Sequence, residues 1–455
     1  MTDPGDADDA DGAGGAGDAV AVLCAAVAAY DQEAAEALVE AGADPDRVLP
    51  DGSTPLLRAV EGGSRAMVTA LLGHDARLRL PEAERGRLLD AARRWYGAGA
   101  EAELRRLTGV ADPADVAWVT DSEYETVPEI ALGGRRVRAG HGAVLTDLEW
   151  AFRILAPVAE LVARGVRSPR TDHVDRNAAL YVLNSRVSAQ TWGQAVAFRH
   201  DPDPLRRAFV VDVVRYRMWG WADTAHAGWY EKECDRILVE WEAEETDADV
   251  LGRVLEALGE AEVPTREAIG LRRAGHPDPG VRRWVPGLFD WWPSGDAPRV
   301  LSPEVRRALR ELCRDENGAV RAEAAGVLAA EEPQEEDLAL LPDLLWDPDP
   351  EVVRRTLRGL GSVTRGVPEV AELLVRCLDS DDPDVRLGAA HGLAVRDDPR
   401  TPQAYAKVGP LGPEYEHDHR TDGLWRWKWR NATGRDGPGP GSRLVPTAVE
   451  ARRGD

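Results

Sequence analysis

The chain has 455 residues, of which 43% are hydrophobic and 30% charged, so it can bury a sizeable core and is too apolar to be disordered throughout. Its 80 Asp plus Glu against 56 Lys plus Arg leave a net charge of -24, a field that repels phosphate backbones and anionic lipid surfaces, so neither nucleic acid nor membrane is expected as a partner. Cys24, Cys234, Cys313 and Cys377 are scattered, with no C-x-x-C pair, and predict small buried thiols rather than a disulfide framework.

Residues 1–18, MTDPGDADDADGAGGAGD, hold too little apolar surface to offset their chain entropy and predict a disordered acidic tail. They contain neither a basic nor an apolar leader region, and no run of about eighteen apolar residues follows, which predicts a cytoplasmic chain. Helical periodicity then starts and continues to about Gly409, so the expected fold class is all-α.

The stretch AVAAYDQEAAEALVEAGADPD returns 33 residues later as AVEGGSRAMVTALLGHDARLR, pairing Ala26 with Ala59, Val39 with Leu72 and Ala43 with Ala76. Within it, Asp51 to Gly63 reads DGSTPLLRAVEGG: Asp51 and Gly52 suit a turn, Thr54 a helix cap and Pro55 the first helical turn. A third, degenerate unit puts Ala92 and Leu104 in register with Ala59 and Leu71. The pattern resembles ankyrin repeats, departing at Leu57 where that family usually has His, and it assigns residues 19–109 to an ankyrin-like stack.

Residues 110–145 break the helical pattern with β-branched residues and the Gly133-Gly134 turn, and predict a linker with a small hairpin. Thr146 is then expected to cap a helix presenting Leu148, Phe152, Leu155 and Val162.

A second repeat follows, in which an acidic or Asp-Pro turn opens a helix with apolar residues at i, i+4 and i+8. The sets are Leu205/Phe209/Val213, Val250/Val254/Leu258, Val281/Val285/Phe289, Val320/Ala324/Leu328, Val352/Thr356/Leu360 and Val385/Ala389/Leu393. The best units, DENGAVRAEAAGVL and DDPDVRLGAAHGL, resemble HEAT repeats of the bilin-lyase-like subgroup, and residues 146–408 are assigned to a HEAT-like α-solenoid. That resemblance implies a lyase or chromophore-handling role, although the residues that carry it build the repeat. Asp247, Asp278, Asn317, Asp349 and Asp382 stand where helix N-caps belong, and Arg282, Arg321 and Arg386 where they can reach a neighbouring Asp.

Residues 409–455 are expected to form a cap segment and a disordered tail. In EYEHDHR, His417 and His419 lack the complete ligand set that a metal site needs, so no metal is expected. In LWRWKWR the alternation of Trp425, Trp427 and Trp429 with Arg426, Lys428 and Arg430 predicts a strand folded over the last helix.

Tryptophan clusters in WGWADTAHAGWYE and RRWVPGLFDWW, and the partner-binding residues expected from them are Trp219, Trp221, Trp229, Trp284, Asp290, Trp291 and Trp292. The competing assignment has these rings cementing loops over the solenoid. No nucleophile elbow, phosphate loop, dinucleotide turn or H-E-x-x-H motif occurs, so no catalytic residue and no cofactor is assigned. The expected function is a non-enzymatic protein–protein interaction scaffold that uses the concave surface of the solenoid, with a basic protein as the charge-matched partner. The alternative is an enzyme or modifier, lyase-like or DNA-glycosylase-like, with a Trp-rich pocket in the HEAT region; the net charge opposes the DNA variant of it.

Overall fold

The computed structural model describes residues 9–219, 227–290, 301–363 and 367–433. The chain is an all-α solenoid-type fold with one small sheet, and it divides into two compact units, Met1–Cys234 and Asp235–Asp455.

The N-terminal unit opens with helix pairs. Thr54 Oγ1 accepts the Leu57 N–H at 3.1 Å, Pro55 fills the first turn, and Gly63 ends helix Pro55–Gly62 in the left-handed region at φ 72°. Ser64 caps helix Arg65–Leu72 in the same way. Ala26, Ala59 and Ala92, set one repeat apart, are all buried, and their small side chains let Asp9–Ala29, Pro55–Gly62 and Glu82–Ala98 approach closely.

Residues 115–138 form an antiparallel sheet of Asp115–Ser122 (β1), Glu125–Leu132 (β2) and Arg135–Arg138 (β3), in the order β1-β2-β3. Val119 pairs with Val127 and Ile130 with Val137, while Gly133 and Gly134, at φ 58° and 75°, supply the positive dihedrals of the β2–β3 turn. Within the segment expected as a linker, β2 is thus packed on both faces. Ile130, Leu132 and Val137 lie against Trp95 and Leu104, and Val127 against Ala143, Val174 and Ala178.

Thr146 does not cap a helix. Helix His141–Ala151 starts before it, and buried Thr146 donates its hydroxyl to the Gly142 carbonyl at 2.8 Å while accepting from Arg164 Nη1 at 3.0 Å. The N-terminal N–H of Ala143 is instead met by Asp175 Oδ1 at 2.6 Å, from helix Val174–Ser185, a long-range cap with no local sequence signature.

In the C-terminal unit the apolar triplets at Val250, Val281, Val320, Val352 and Val385 are buried at every position, as their spacing requires. Of the triplet at Leu205, in the N-terminal unit, Phe209 and Val213 are buried as expected but Leu205 is exposed, because the cap stands one residue later than the triplet requires. There Asp203 Oδ1 accepts the Leu205 N–H, and Arg207 Nη1 reaches back to the Asp201 and Pro202 carbonyls, as Arg282 does to those of His276 and Pro277. That register places Arg206 at the anchor position, with Val210 and Val214 buried behind it. The run FVVDVV is apolar at both phases, which hides the frame from a periodicity count.

LWRWKWR is not a strand. It lies in helix His419–Thr433, where buried Thr421 and Leu424 and partly buried Trp427 form a stripe at helical spacing. Leu424 and Trp427 join the core cluster of Leu387 and Leu393, so this helix continues the stack after Pro383–Ala394. The three tryptophans alternate by composition, and the wider apolar stripe decides the secondary structure.

Candidate partner-binding surface

The C-terminal unit is built by one device used repeatedly. Asp278, Asn317, Asp349 and Asp382 each cap a helix with a side-chain oxygen, and Asp247 does so for Ala248–Glu260. Two residues before the first four caps stand His276, Asp315, Asp347 and Ser380, each accepting the N–H of the cap residue. Four residues after the caps, Arg282, Arg321 and Arg386 donate back to two carbonyls of the turn that opens their own helix.

The same arginines tie one repeat to the next. Arg282 pairs with Asp315 at 2.6 Å and Arg321 with Asp347 at 2.8 Å, both through two guanidinium nitrogens. Burial alone would raise the Asp315 and Asp347 carboxyls, but the arginine hydrogen bonds and the N–H of the cap residue outweigh it and hold both below the usual carboxylate range. At the next joint Val353 occupies the arginine position and Ser380 the acceptor position, so both members of the pair are missing together. The capping Asp residues therefore have a structural task, and a ligand ladder is not needed to explain them.

Helices Gly318–Ala329, Pro350–Leu360, Pro383–Ala394 and His419–Thr433 pack in succession, and ion pairs run across them from Glu323 to Arg355 and from Asp384 to Arg420. The partner helices Pro303–Leu312, Glu335–Leu345 and Pro368–Cys377 differ: Glu304, Glu311, Glu335, Asp343 and Glu369 are exposed on them, alongside Arg307 and Arg376. Asp337 is buried at the start of Glu335–Leu345, where it holds Arg306 and Arg310 and accepts the Gln334 N–H at 2.9 Å. Arg282 and Arg321 are thus absorbed into the joints, whereas the first helices expose carboxylates together with Arg307 and Arg376.

Trp221, Trp291 and Trp292 lie outside the described residues, as does the Trp219 side chain, and Trp229 and Trp284 belong to different units. Trp284 is half-buried against Gly252, where a Cβ would sit 3.2 Å from its Cδ1, and Arg283 lies over its ring at 5.0 Å. It acts as a wedge onto helix Ala248–Glu260. Asp290 is exposed at the end of helix Val285–Phe289.

Trp229 is the open edge of a cluster that the sequence reading missed. It meets buried Tyr230 edge-on at 4.9 Å, and Tyr230 meets buried Trp192 at 5.6 Å. The Arg217 guanidinium lies 4.6 Å over Tyr230 and donates to the Leu183 carbonyl; burial lowers its basicity. No local pattern links Trp192 to Arg217, since the helix packing alone brings them together.

Among the described residues no group of three or more His, Cys, Asp or Glu is placed to hold a metal. Asp418, in the His-rich loop, instead pairs with Arg420 and meets its N–H. All four cysteines are free; three are buried, Cys24 is only half-buried, and burial pushes the Cys313 thiol up to about 12.

Residues 297–361 and 347–407 match HEAT repeats. Among solved structures, the X-ray structure of YibA from Escherichia coli is similar, at 17% identity over 56% of this chain and 92% of that one, with a TM-score of 0.40. No curated protein matches the chain.

Proposed function

We propose that the chain is a non-enzymatic interaction scaffold whose HEAT-repeat surface takes a basic protein partner, with ankyrin-like helix pairs forming part of the N-terminal unit. The observation that carries this reading is the division of charge in the repeats. Arg282 and Arg321 are tied into inter-repeat pairs with Asp315 and Asp347, while Glu335, Asp343 and Glu369 stay exposed on successive first helices and outnumber the exposed Arg307 and Arg376 there. Stacked repeats give an extended surface, and complementary charge steers association and selects partners more than it sets affinity. The likeness to the bilin-lyase-like subgroup rests on cap and packing residues that already have structural tasks, so it supplies no reason to assign lyase chemistry. A cytoplasmic location fits the reading and is part of the proposal.

The test is capture of partners from native lysate by the purified chain, at low and high salt, beside a Glu335→Lys, Asp343→Lys, Glu369→Lys variant of equal helicity. The reading expects a partner held by the wild type at low salt and released both by high salt and by the triple reversal. Capture that ignores salt and the reversal would overturn it.

A further inference from the structure

β1 is an edge strand, and the other described residues leave its outer side open. β2 pairs with it along one side, and the sheet order ends there. Asp115, Val116, Ala117, Trp118 and Thr120 are all exposed, although β2 behind them is partly or fully buried along its length. An open edge presents a row of N–H and C=O groups that can pair with another extended chain. Proteins usually blunt such edges with Lys, Pro or a bulge. Here the one irregularity falls between Thr120 and Ser122, and residues 115–120 contain neither Lys nor Pro.

The side chains add an apolar shelf. Val116 and Trp118, two apart on the strand, share a face and are 57% and 47% exposed. Trp118 has Arg170 over its ring at 4.5 Å and His173 edge-on at 5.9 Å, so the indole is positioned before anything docks.

The charge around the strand selects the occupant. Asp112, Asp115 and Glu123 are exposed at the two ends of β1, residues 111–125 contain no Lys or Arg, and the Arg170 guanidinium over Trp118 is paired with Asp172. Asp121 and Glu125 are turned inward, to Arg138 and Arg65. Beyond the start of β1 lies a shallow concavity of about 600 Å³, lined by Asp112, Asp115 and the Gly133-Gly134 turn, with Arg135 and Arg136 at its β3 side. A second copy of a chain with net charge -24 would bring like charges together at this edge. A cationic segment would not.

We propose that β1 is a docking strand for an extended, Lys- or Arg-bearing peptide segment. The segment adds as a further strand along Asp115–Thr120, rests alternate side chains on Val116 and Trp118, and places a cation near Asp112 and Asp115 in the adjoining concavity. This site lies in the N-terminal unit and does not depend on the repeat surface proposed above.

The test uses the full chain and two fluorescein-labelled octapeptides, one alternating Arg with Val and one alternating Glu with Val. Binding is followed by anisotropy, and backbone protection by hydrogen exchange. Expected are binding of the Arg peptide with slowed exchange of the 115–120 amides, no such effect from the Glu peptide, and at least tenfold weaker binding by Asp115→Lys and by Val116→Lys. The Glu335, Asp343, Glu369 reversal should leave the 115–120 protection unchanged, which separates this site from the repeat surface. Binding without protection of 115–120, equal protection by both peptides, or indifference to both strand variants would overturn the proposal. So would protection of 115–120 that rises with protein concentration in the absence of peptide, because the occupant would then be a second copy.

Discussion

Gly140 donates its backbone N–H to the carbonyl of Gly63 at 3.1 Å, joining the end of β3 to the turn between two helices of the N-terminal stack. Neither residue can carry a side chain there. A Cβ on Gly63 would overlap the Arg138 carbonyl and the His141 ring, and one on Gly140 would lie 2.6 Å from the Gly63 carbonyl oxygen. Gly63 also stands at φ 72°, which costs other residues roughly 1–2 kcal/mol. Gly63→Ala should therefore destabilise the N-terminal unit by more than that backbone term alone. Gly134→Ala, at φ 75° with open space around it, should cost only the backbone term. Urea unfolding of the two variants checks the difference.

His141, His173 and His391 give the chain an acid limit. Burial lowers each to about 4, with His141 stacked on Trp95 at 4.8 Å. Unfolded, each would titrate near 6.5, so the unfolded chain takes up protons first as the pH falls. Their contribution is complete above about pH 6.5 and is lost between there and pH 4. The melting temperature should drop across that window, and more shallowly in His391→Phe.

Asp175 carries the opposite sign. Burial raises it to about 7, even though the Ala143 N–H pulls it down. The folded state then holds a proton that the unfolded carboxyl releases near pH 4, so stability falls as pH rises from about 4 to 7. Asp175→Asn keeps an acceptor for Ala143 without the buried charge and should raise the melting temperature at pH 8. Asp175→Ala leaves that N–H without its partner and should lower it by about 1–3 kcal/mol of stability.

The Arg282–Asp315 pair joins two repeats through side chains that are 18% and 9% exposed. A double-mutant cycle with Arg282→Ala and Asp315→Ala should give a coupling of about 0.5–3 kcal/mol, and a coupling near zero would reduce the pair to decoration. Because the Asp315 carboxyl is held low, its contribution is present at neutral pH and is lost as pH falls below about 4.

Helix His419–Thr433 closes the C-terminal stack through Leu424, which is fully buried. Leu424→Ala should destabilise that unit by about 2–5 kcal/mol, while Trp425→Ala, only half-buried, should cost less. Thermal unfolding read by far-UV circular dichroism separates the two.

Much of the C-terminal unit was legible because its signals are local. An Asp caps the helix that follows it, and a Val, Ala, Leu triplet at i, i+4, i+8 marks one face, so both read correctly from Val250 onward. Reading failed where two periods coincide, as in FVVDVV and LWRWKWR, and where a distant residue does a local job, as Asp175 does for Ala143. The aromatic sites were the least legible. A count of tryptophans cannot separate Trp284, wedged on Gly252, from Trp118, which lies open on a strand edge.

The clamp from Arg282 to Asp315 belongs to the joint between repeats, since one half is supplied by each side. A repeat copied or deleted during descent must therefore arrive with an acceptor ahead of its cap and an arginine behind it, or leave a buried charge at both new seams. The segment from Asp315 to Trp346 meets that condition, because it carries Asp315 for the preceding repeat and Arg321 for the following one. The joint of Val353 with Ser380 asks for neither charge, and so accepts only a repeat that lacks both the acceptor carboxylate and the arginine.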